Sequence, residues 1–242
     1  MVILGEYDDA KESLKKFQEI LSSHQLNVTG DIQAQTLLVD LQLLRKTNDA
    51  EYQIKSKYVI DDVLKYHLLN NSNLIHSFEY YTQLNPGFII NICEEYLQGI
   101  FQGTSISGLL WLPQQQQKSP EFLNFIDNPL YKISEMFLAN IRKSVKVLDQ
   151  LAKRINGLIP AYLLNGLAKF FLQEYKSAEI CARKCLEFDV KNEQAYILIL
   201  LIHWIDFNYE FCVTVIKDAI RHNLEITNNV LFMLIKGSVE LN

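Results

Sequence analysis

Glycine and proline are scarce in this sequence, nine and five residues in 242, so few positions can break a helix or form a tight loop. Cysteine is scarce too. The four, at 93, 181, 185 and 212, lack the paired spacing of a disulfide framework. With no signal peptide at the start, that pattern predicts a reducing cytosolic compartment. No apolar run reaches the roughly 20 residues of a membrane span. The most apolar, AYILILLIHWIDF from Ala195 to Phe207, carries His203 and Asp206 and is expected to be a core helix, buried by neighbours on both sides. Positive charge is in deficit, with 23 Lys and Arg against 28 Asp and Glu and a net charge of −5. A dedicated nucleic-acid binder needs a basic face, so this balance argues against one. Phosphate loops, dinucleotide fingerprints, nucleophile elbows, CxxC and HExxH patterns are all missing. No enzyme, cofactor or metal site is predicted.

What the chain does have is apolar content and a repeat. Hydrophobic residues make up 49% of the sequence, enough for a packed interior and too much for a disordered chain. The stretch from Pro160 to Val190 recurs after a shift of 34 residues, the tetratricopeptide period. Tyr162 falls on Tyr196, Phe170 on Trp204, Tyr175 on Tyr209 and Leu186 on Ile220. The small pair returns with its members exchanged, Ala178 on Cys212 and Cys185 on Ala219. A helical hairpin needs large residues where it meets the next hairpin and small ones where its own helices cross. Tyr162, Gly166, Tyr175, Ala178 and Cys185 fill the aromatic and small positions of that pattern. The fold class that follows is all-α, a tetratricopeptide-type helical-hairpin solenoid with a right-handed superhelix.

Along the chain, Gly5-Glu6-Tyr7-Asp8-Asp9-Ala10 opens what reads as the second helix of a hairpin, with Leu14, Phe17 and Leu21 on its apolar face. Helices are expected over Asp31–Leu44, Ala50–Leu69, Leu74–Gln83 and Gly87–Gly99, the last begun by Asn85-Pro86. Residues 1–101 form the first block of repeats. From Gln102 to Pro120 glycine, serine, proline and a glutamine run replace any helix face, marking a loop or insertion. Leu109, Leu110, Trp111 and Leu112 within it are expected to dock back on the solenoid or onto a partner. Residues 121–242 are the second block: a hairpin of Pro129–Asn140 and Ile141–Ile155 stopped at Asn156-Gly157, the two clear repeats, and a third begun at Thr227–Val239. Both ends are expected to be cut within hairpins, as in a segment of a longer array.

Several groups invite a chemical role. Cys181 and Cys185 lie four apart with His203, Cys212 and His222 following, a spacing that suits metal, but the register explains both cysteines as small packed residues. His203 is expected to be a satisfied core residue. Asp8-Asp9, Asp61-Asp62 and Glu94-Glu95 are adjacent on helices and point apart, so solvated faces are expected. One charge feature stands out. Arg142, Lys143, Lys146, Lys153 and Arg154 share a helix on which Asp149 is the only acid among them, and Arg142, Lys146 and Lys153 fall on one side. These three are a candidate docking face for an acidic partner, against the plainer alternative of a solvated surface.

With the register placed, the chain resembles the tetratricopeptide repeat protein 21 family, the all-repeat subunit of intraflagellar transport complex A. Phe78-Glu79-Tyr80-Tyr81-Thr82-Gln83-Leu84-Asn85-Pro86-Gly87-Phe88, running through Glu95-Tyr96-Leu97, is similar to the aromatic, LNPxF and EYL segment of the family's middle region. A polar stretch at 102–120, a basic helix pair like Ile141–Lys153, the repeat from Ile159 and the opening GxxxDA follow the family's order. Gln173 stands where the repeat glycine is usual, and Val190 where many repeats have proline.

The resemblance implies a non-catalytic scaffold in retrograde ciliary transport, located in cilium or flagellum (axoneme and basal body) and cytoplasm. The partners it implies are the other complex A subunits, with dynein and ciliary cargo indirectly, and neither nucleic acid nor membrane insertion. It carries over no catalytic or cofactor residue.

A tetratricopeptide scaffold or peptide-binding adaptor in another cytosolic assembly is the alternative. A co-chaperone clamp for acidic C-termini would need lysine and asparagine where Leu163 and Leu167 stand, and an apolar pair cannot neutralise a carboxylate. A scaffold of an unrelated assembly, such as a ubiquitin ligase, would lack the Phe78–Leu97 segment. The apolar helix Gln194–Ile205 is expected to be covered in part by a partner segment or by residues 109–112.

Overall fold

In a computed structural model of the chain, residues 6–23, 30–47, 85–98 and 135–241 are described, and every regular element among them is a helix. The expected helices over 50–69 and 74–83, the Gln102–Pro120 loop, Asp61-Asp62 and all of Phe78–Leu84 lie outside the described residues. The chain divides into two compact units, Met1–Gly103 and Thr104–Asn242.

The first unit contains α1 (Tyr7–Ser23), α2 (Gly30–Lys46) and α3 (Pro86–Gln98), with α1 packed on α2 and α2 on α3. α2 buries Leu38, Leu41, Leu43 and Leu44, and α3 buries Phe88, Ile89, Ile92, Cys93 and Leu97. Leu38, Leu41 and Leu44, and Phe88 with Ile92, recur at steps of three and four along one stripe of their helices, while Leu43 lies on another side of α2. α3 starts where the sequence says it should. The Phe88 amide donates to Asn85 Oδ1 at 3.0 Å, and Pro86 occupies the first turn, where its missing N–H costs nothing. On α1, Phe17 and Ile20 remain exposed. One expectation fails here: Glu95 is 2% exposed, because it falls one turn after Ile92 and two after Phe88, both buried, so this carboxylate is not on a solvated face.

The second unit contains α4 (Glu135–Arg154), α5 (Ile159–Phe171), α6 (Tyr175–Phe188), α7 (Glu193–Ile205), α8 (Tyr209–His222), a short 3-10 helix (Leu224–Asn228) and α9 (Val230–Glu240). α4 corrects the sequence reading. The chain was expected to turn at Asn140–Ile141, but the helix runs straight through. Neither glycine nor proline stands there, and a single asparagine costs a helix interior well under 1 kcal/mol. Beyond α4 the hairpins follow the expected order: α5 packs on α6 and α7 on α8, while α7 also meets α5, α6 and α9. The third repeat's first helix begins at Val230 rather than Thr227, because Leu224–Asn228 winds as a 3-10 turn before the Asn229 cap.

The register fixes what packs where. Ala178 and Cys212 are both fully buried, as are Cys185 and Ala219. Gly166 sits where α5, α6 and α7 converge; a Cβ there would lie 2.9 Å from Leu198 Cδ2, 3.2 Å from Cys181 Cβ and 3.3 Å from the Ala178 carbonyl. Only a glycine permits that approach. Gln173 and Phe207, 34 positions apart, end the first helix of each hairpin with positive φ, 63° and 56°. The backbone thus demands a left-handed residue at the position where glycine is usual, and two side chains that disfavour it accept the conformation.

Asparagines start the later helices. Asn192, Asn208 and Asn229 accept from Ala195 N, Phe211 N and Phe232 N, and Asn229 Nδ2 reaches across a repeat to Glu193 Oε1 at 2.6 Å. On α7, Ala195 through Ile202 are all buried by the neighbouring helices. The apolar run is therefore a core helix, as expected. Ala195–Ile202 leave no exposed strip for a partner segment, and the other expected cover, residues 109–112, lies outside the described residues.

Candidate partner-docking surface

α4 has two sides with different chemistry. Ile141, Val147, Leu148, Leu151 and Ala152 are buried, with Ser144 among them, at the steps that make one helical stripe. On the opposite side Arg142, Lys146 and Lys153 are exposed. Among the described residues none of the three makes an ion pair or side-chain hydrogen bond, whereas Lys143 and Arg154, off the stripe, do have partners. The stripe picked out by spacing is thus the part of the helix whose charges the fold leaves uncommitted.

Asp149 shares that stripe, one turn from Lys146 and Lys153, and would cancel part of its charge. Tertiary structure takes it away. Asp149 Oδ1 accepts from Asn165 Nδ2 at 2.7 Å and from Lys169 Nζ at 2.8 Å, both on α5. Burial alone would push the Lys169 ammonium down, but the Asp149 hydrogen bond and the surrounding negative groups outweigh it and hold the group above its ordinary value. Lys169 stays charged beside Asp149, so that acid takes little from the charge of Lys146 and Lys153. Asn165 is 2% exposed, and its Oδ1 has no hydrogen-bond partner. Nothing in the sequence marked Asn165 or Lys169, because their partner lies on another helix.

The other candidates resolve into packing. Cys181, Cys185 and Cys212 are buried free thiols. Burial pushes Cys185 up to about 12 and Cys212 up to about 11, far from a reactive thiolate at neutral pH. Among the described residues no group of three or more His, Cys, Asp or Glu is placed to hold a metal ion. His203 lies at the core's edge, its ring centroid 4.0 Å from that of Phe211. Its Nε2 is 3.3 Å from Glu179 Oε2, within ion-pair range but without hydrogen-bond alignment, and Glu179 is held mainly by Arg183 through contacts of 2.8 and 2.5 Å. Leu163 and Leu167, at the carboxylate-clamp positions, are 6% and 2% exposed and face the core. Asp8 and Asp9 are exposed on α1. Among the described residues no helix is long and apolar enough to cross a membrane.

The family model described as the tetratricopeptide repeat protein 21 second ARM domain matches residues 1–204. ARM and tetratricopeptide arrays are both solenoids of stacked helices, which is the architecture of α5–α9. Among curated proteins, the chain is 23% identical over 236 residues to tetratricopeptide repeat protein 21A of Mus musculus, covering 98% of this chain and 15% of that protein. It is 21% identical over 236 residues to the Homo sapiens 21A protein, with the same coverage. To tetratricopeptide repeat protein 21B of Xenopus laevis it is 24% identical over 242 residues, covering 98% of this chain and 16% of that protein. The chain therefore spans about 15% of the length of the relatives it matches. Its repeat register, its helical hairpins and the match over residues 1–204 agree: the chain belongs to the tetratricopeptide repeat protein 21 family.

Proposed function

We propose that the chain serves as part of a non-catalytic scaffold subunit of intraflagellar transport complex A, supporting retrograde transport in cilia through protein–protein contacts. It works in the cilium or flagellum, at axoneme and basal body, and in the cytoplasm. Other complex A subunits are its direct partners, and the dynein motor and ciliary cargo its indirect ones. Family membership over residues 1–204 is the observation that carries this reading.

Within that role, the α4 stripe of Arg142, Lys146 and Lys153 is a docking face for an acidic partner. Its support is physical. Cations without intramolecular partners keep their full attraction for an incoming carboxylate, and here Asp149, one turn from Lys146 and Lys153, is already neutralised by Lys169. In a ciliated cell, full-length protein carrying R142E, K146E and K153E should lose co-purification with complex A subunits and leave cargo accumulated at ciliary tips. Intact complex and normal tips in that cell would reject the docking face. Loss of the whole protein without any ciliary defect would reject the transport role.

A further inference from the structure

The uncommitted cations of α4 do not stop at its C-terminus. Past Arg154 the chain turns at Gly157, which lies against Phe188: a Cβ there would be 3.5 Å from that ring. Tyr162 ties the same corner together, its ring stacked 6.1 Å from Phe188 and its hydroxyl donating to the Ala152 carbonyl at 3.3 Å. The following loop joins through Asn223, whose Nδ2 donates to the Lys191 carbonyl at 3.0 Å. Residues 156–158, 189–192 and 223–228 therefore form one continuous rim along the ends of three successive hairpins.

That rim is apolar and carries charges of both signs. Phe188, Val190 and Leu224 are 44%, 46% and 70% exposed, and Val190 and Leu224 occupy equivalent register positions in successive repeats. Lys153, Lys191 and Arg221 are also exposed and, among the described residues, make no ion pair or side-chain hydrogen bond. Of the rim's acids, Glu187 is paired with Lys184, whereas Asp189 accepts from Lys191 N and Asn192 Nδ2 and Glu193 from Asn229 Nδ2, neutral donors that supply no compensating charge. With Glu225 they offset the rim's own cations, so the excess of positive charge on this surface comes from the α4 stripe.

We propose that the rim and the α4 stripe form one docking surface for an acidic amphipathic protein segment, one in which carboxylates alternate with apolar side chains. Charge complementarity selects the carboxylates, and the line Phe188–Val190–Leu224 selects the apolar residues between them. A phosphate backbone would satisfy the cations and leave that line wet. The proposal rests on the reading of α4 as a docking face and adds the class of partner.

Fluorescence anisotropy of the intact chain tests it, with a labelled peptide of alternating Glu and Leu and a second of alternating Glu and Ser. Vesicles of phosphatidylcholine with phosphatidylserine, and a short DNA duplex, complete the set. The Glu/Leu peptide should bind saturably and more tightly than the Glu/Ser peptide. V190S with L224S should weaken the former by about tenfold and leave the latter unchanged, while R142E, K146E and K153E together should weaken both. K191S with R221S, which removes no apolar contact, provides a second rim variant and should also weaken both, with circular dichroism checking the fold of each.

Equal affinity for the two peptides, or insensitivity to both rim variants, overturns the rim while sparing the α4 face. Sensitivity at the rim with none at α4 overturns the α4 face and the continuous surface with it. Absence of saturable peptide binding, or tighter binding to vesicles or DNA, overturns the partner class.

Discussion

Gly166 and Gly237 are both interior helix glycines, and the structure predicts opposite outcomes for the same substitution. In an exposed helix, alanine is better than glycine by about 1 kcal/mol, through the backbone entropy it removes from the unfolded chain. Gly237 has nothing within 4 Å of a would-be Cβ, so G237A should realise most of that gain. Gly166 meets three atoms instead. Leu198 Cδ2 at 2.9 Å belongs to a side chain that is fully buried and has no free volume to rotate into. Cys181 Cβ at 3.2 Å and the Ala178 carbonyl at 3.3 Å are fixed to the α6 backbone, so α5 and α6 would have to separate.

Overpacking of this kind costs about 1–3 kcal/mol. Set against the propensity gain, G166A should destabilise the second unit by about 1–2 kcal/mol. Hydrogen exchange read by mass spectrometry over α5–α7 measures this locally, without contribution from the first unit. Faster exchange in G166A and slower exchange over α9 in G237A are expected. A stabilised G166A would mean that α5, α6 and α7 do not approach as described, and the repeat register would fall with it.

Three further outcomes follow from single contacts. Q173G relieves a left-handed, exposed glutamine and should raise stability by about 0.5–1 kcal/mol in urea titration, whereas a loss would show that the turn is not left-handed. N229A removes the α9 cap and the Glu193 contact and should cost about 1–2 kcal/mol, with exchange rising first at Phe232; unchanged protection there would count against the cap. Burial pushes Glu179 up, but the Arg183 hydrogen bonds and the nearby His203 outweigh it and hold the carboxyl below its ordinary value of 4.5. A depressed carboxyl stabilises the fold fully above that ordinary value, and the contribution is lost as pH falls through the lower folded-state value. E179Q should therefore be less stable than the parent at neutral pH and lose less stability on acidification below pH 4.5, and an identical acid limb in both proteins would refute the pairing.

The second unit was legible in the sequence wherever a residue's role depends on its own register. Tyr162 with Tyr196 and Ala178 with Cys212 announce where hairpins stack and cross, and the helices fall there. Asn140 misled because asparagine is a stop only when the chain around it also lacks a helix face, and Leu138, Ile141, Val147 and Leu148 supply one. Glu95 misled for the mirror-image reason: its neighbours in sequence are polar, but α3 turns it inward. The docking stripe was half legible. Spacing alone puts Arg142, Lys146 and Lys153 together, but the neutralisation of Asp149 depends on Asn165 and Lys169, 16 and 20 positions away on α5. The rim was not legible at all, since Phe188, Val190 and Leu224 look like ordinary helix-end residues until three loops are seen side by side.

If this solenoid segment engages an acidic partner through the cations of α4, the affinity depends on Arg142, Lys146 and Lys153 themselves. A binding titration with purified complex A subunits tests it most directly. R142E, K146E and K153E together should weaken binding by tenfold or more, about 1.4 kcal/mol, at low salt and by less at high salt. K11E, K15E and K217E, three exposed cations off α4, change the net charge equally and should leave binding nearly intact. Equal losses in the two triple variants would reduce the effect to net charge and contradict the account.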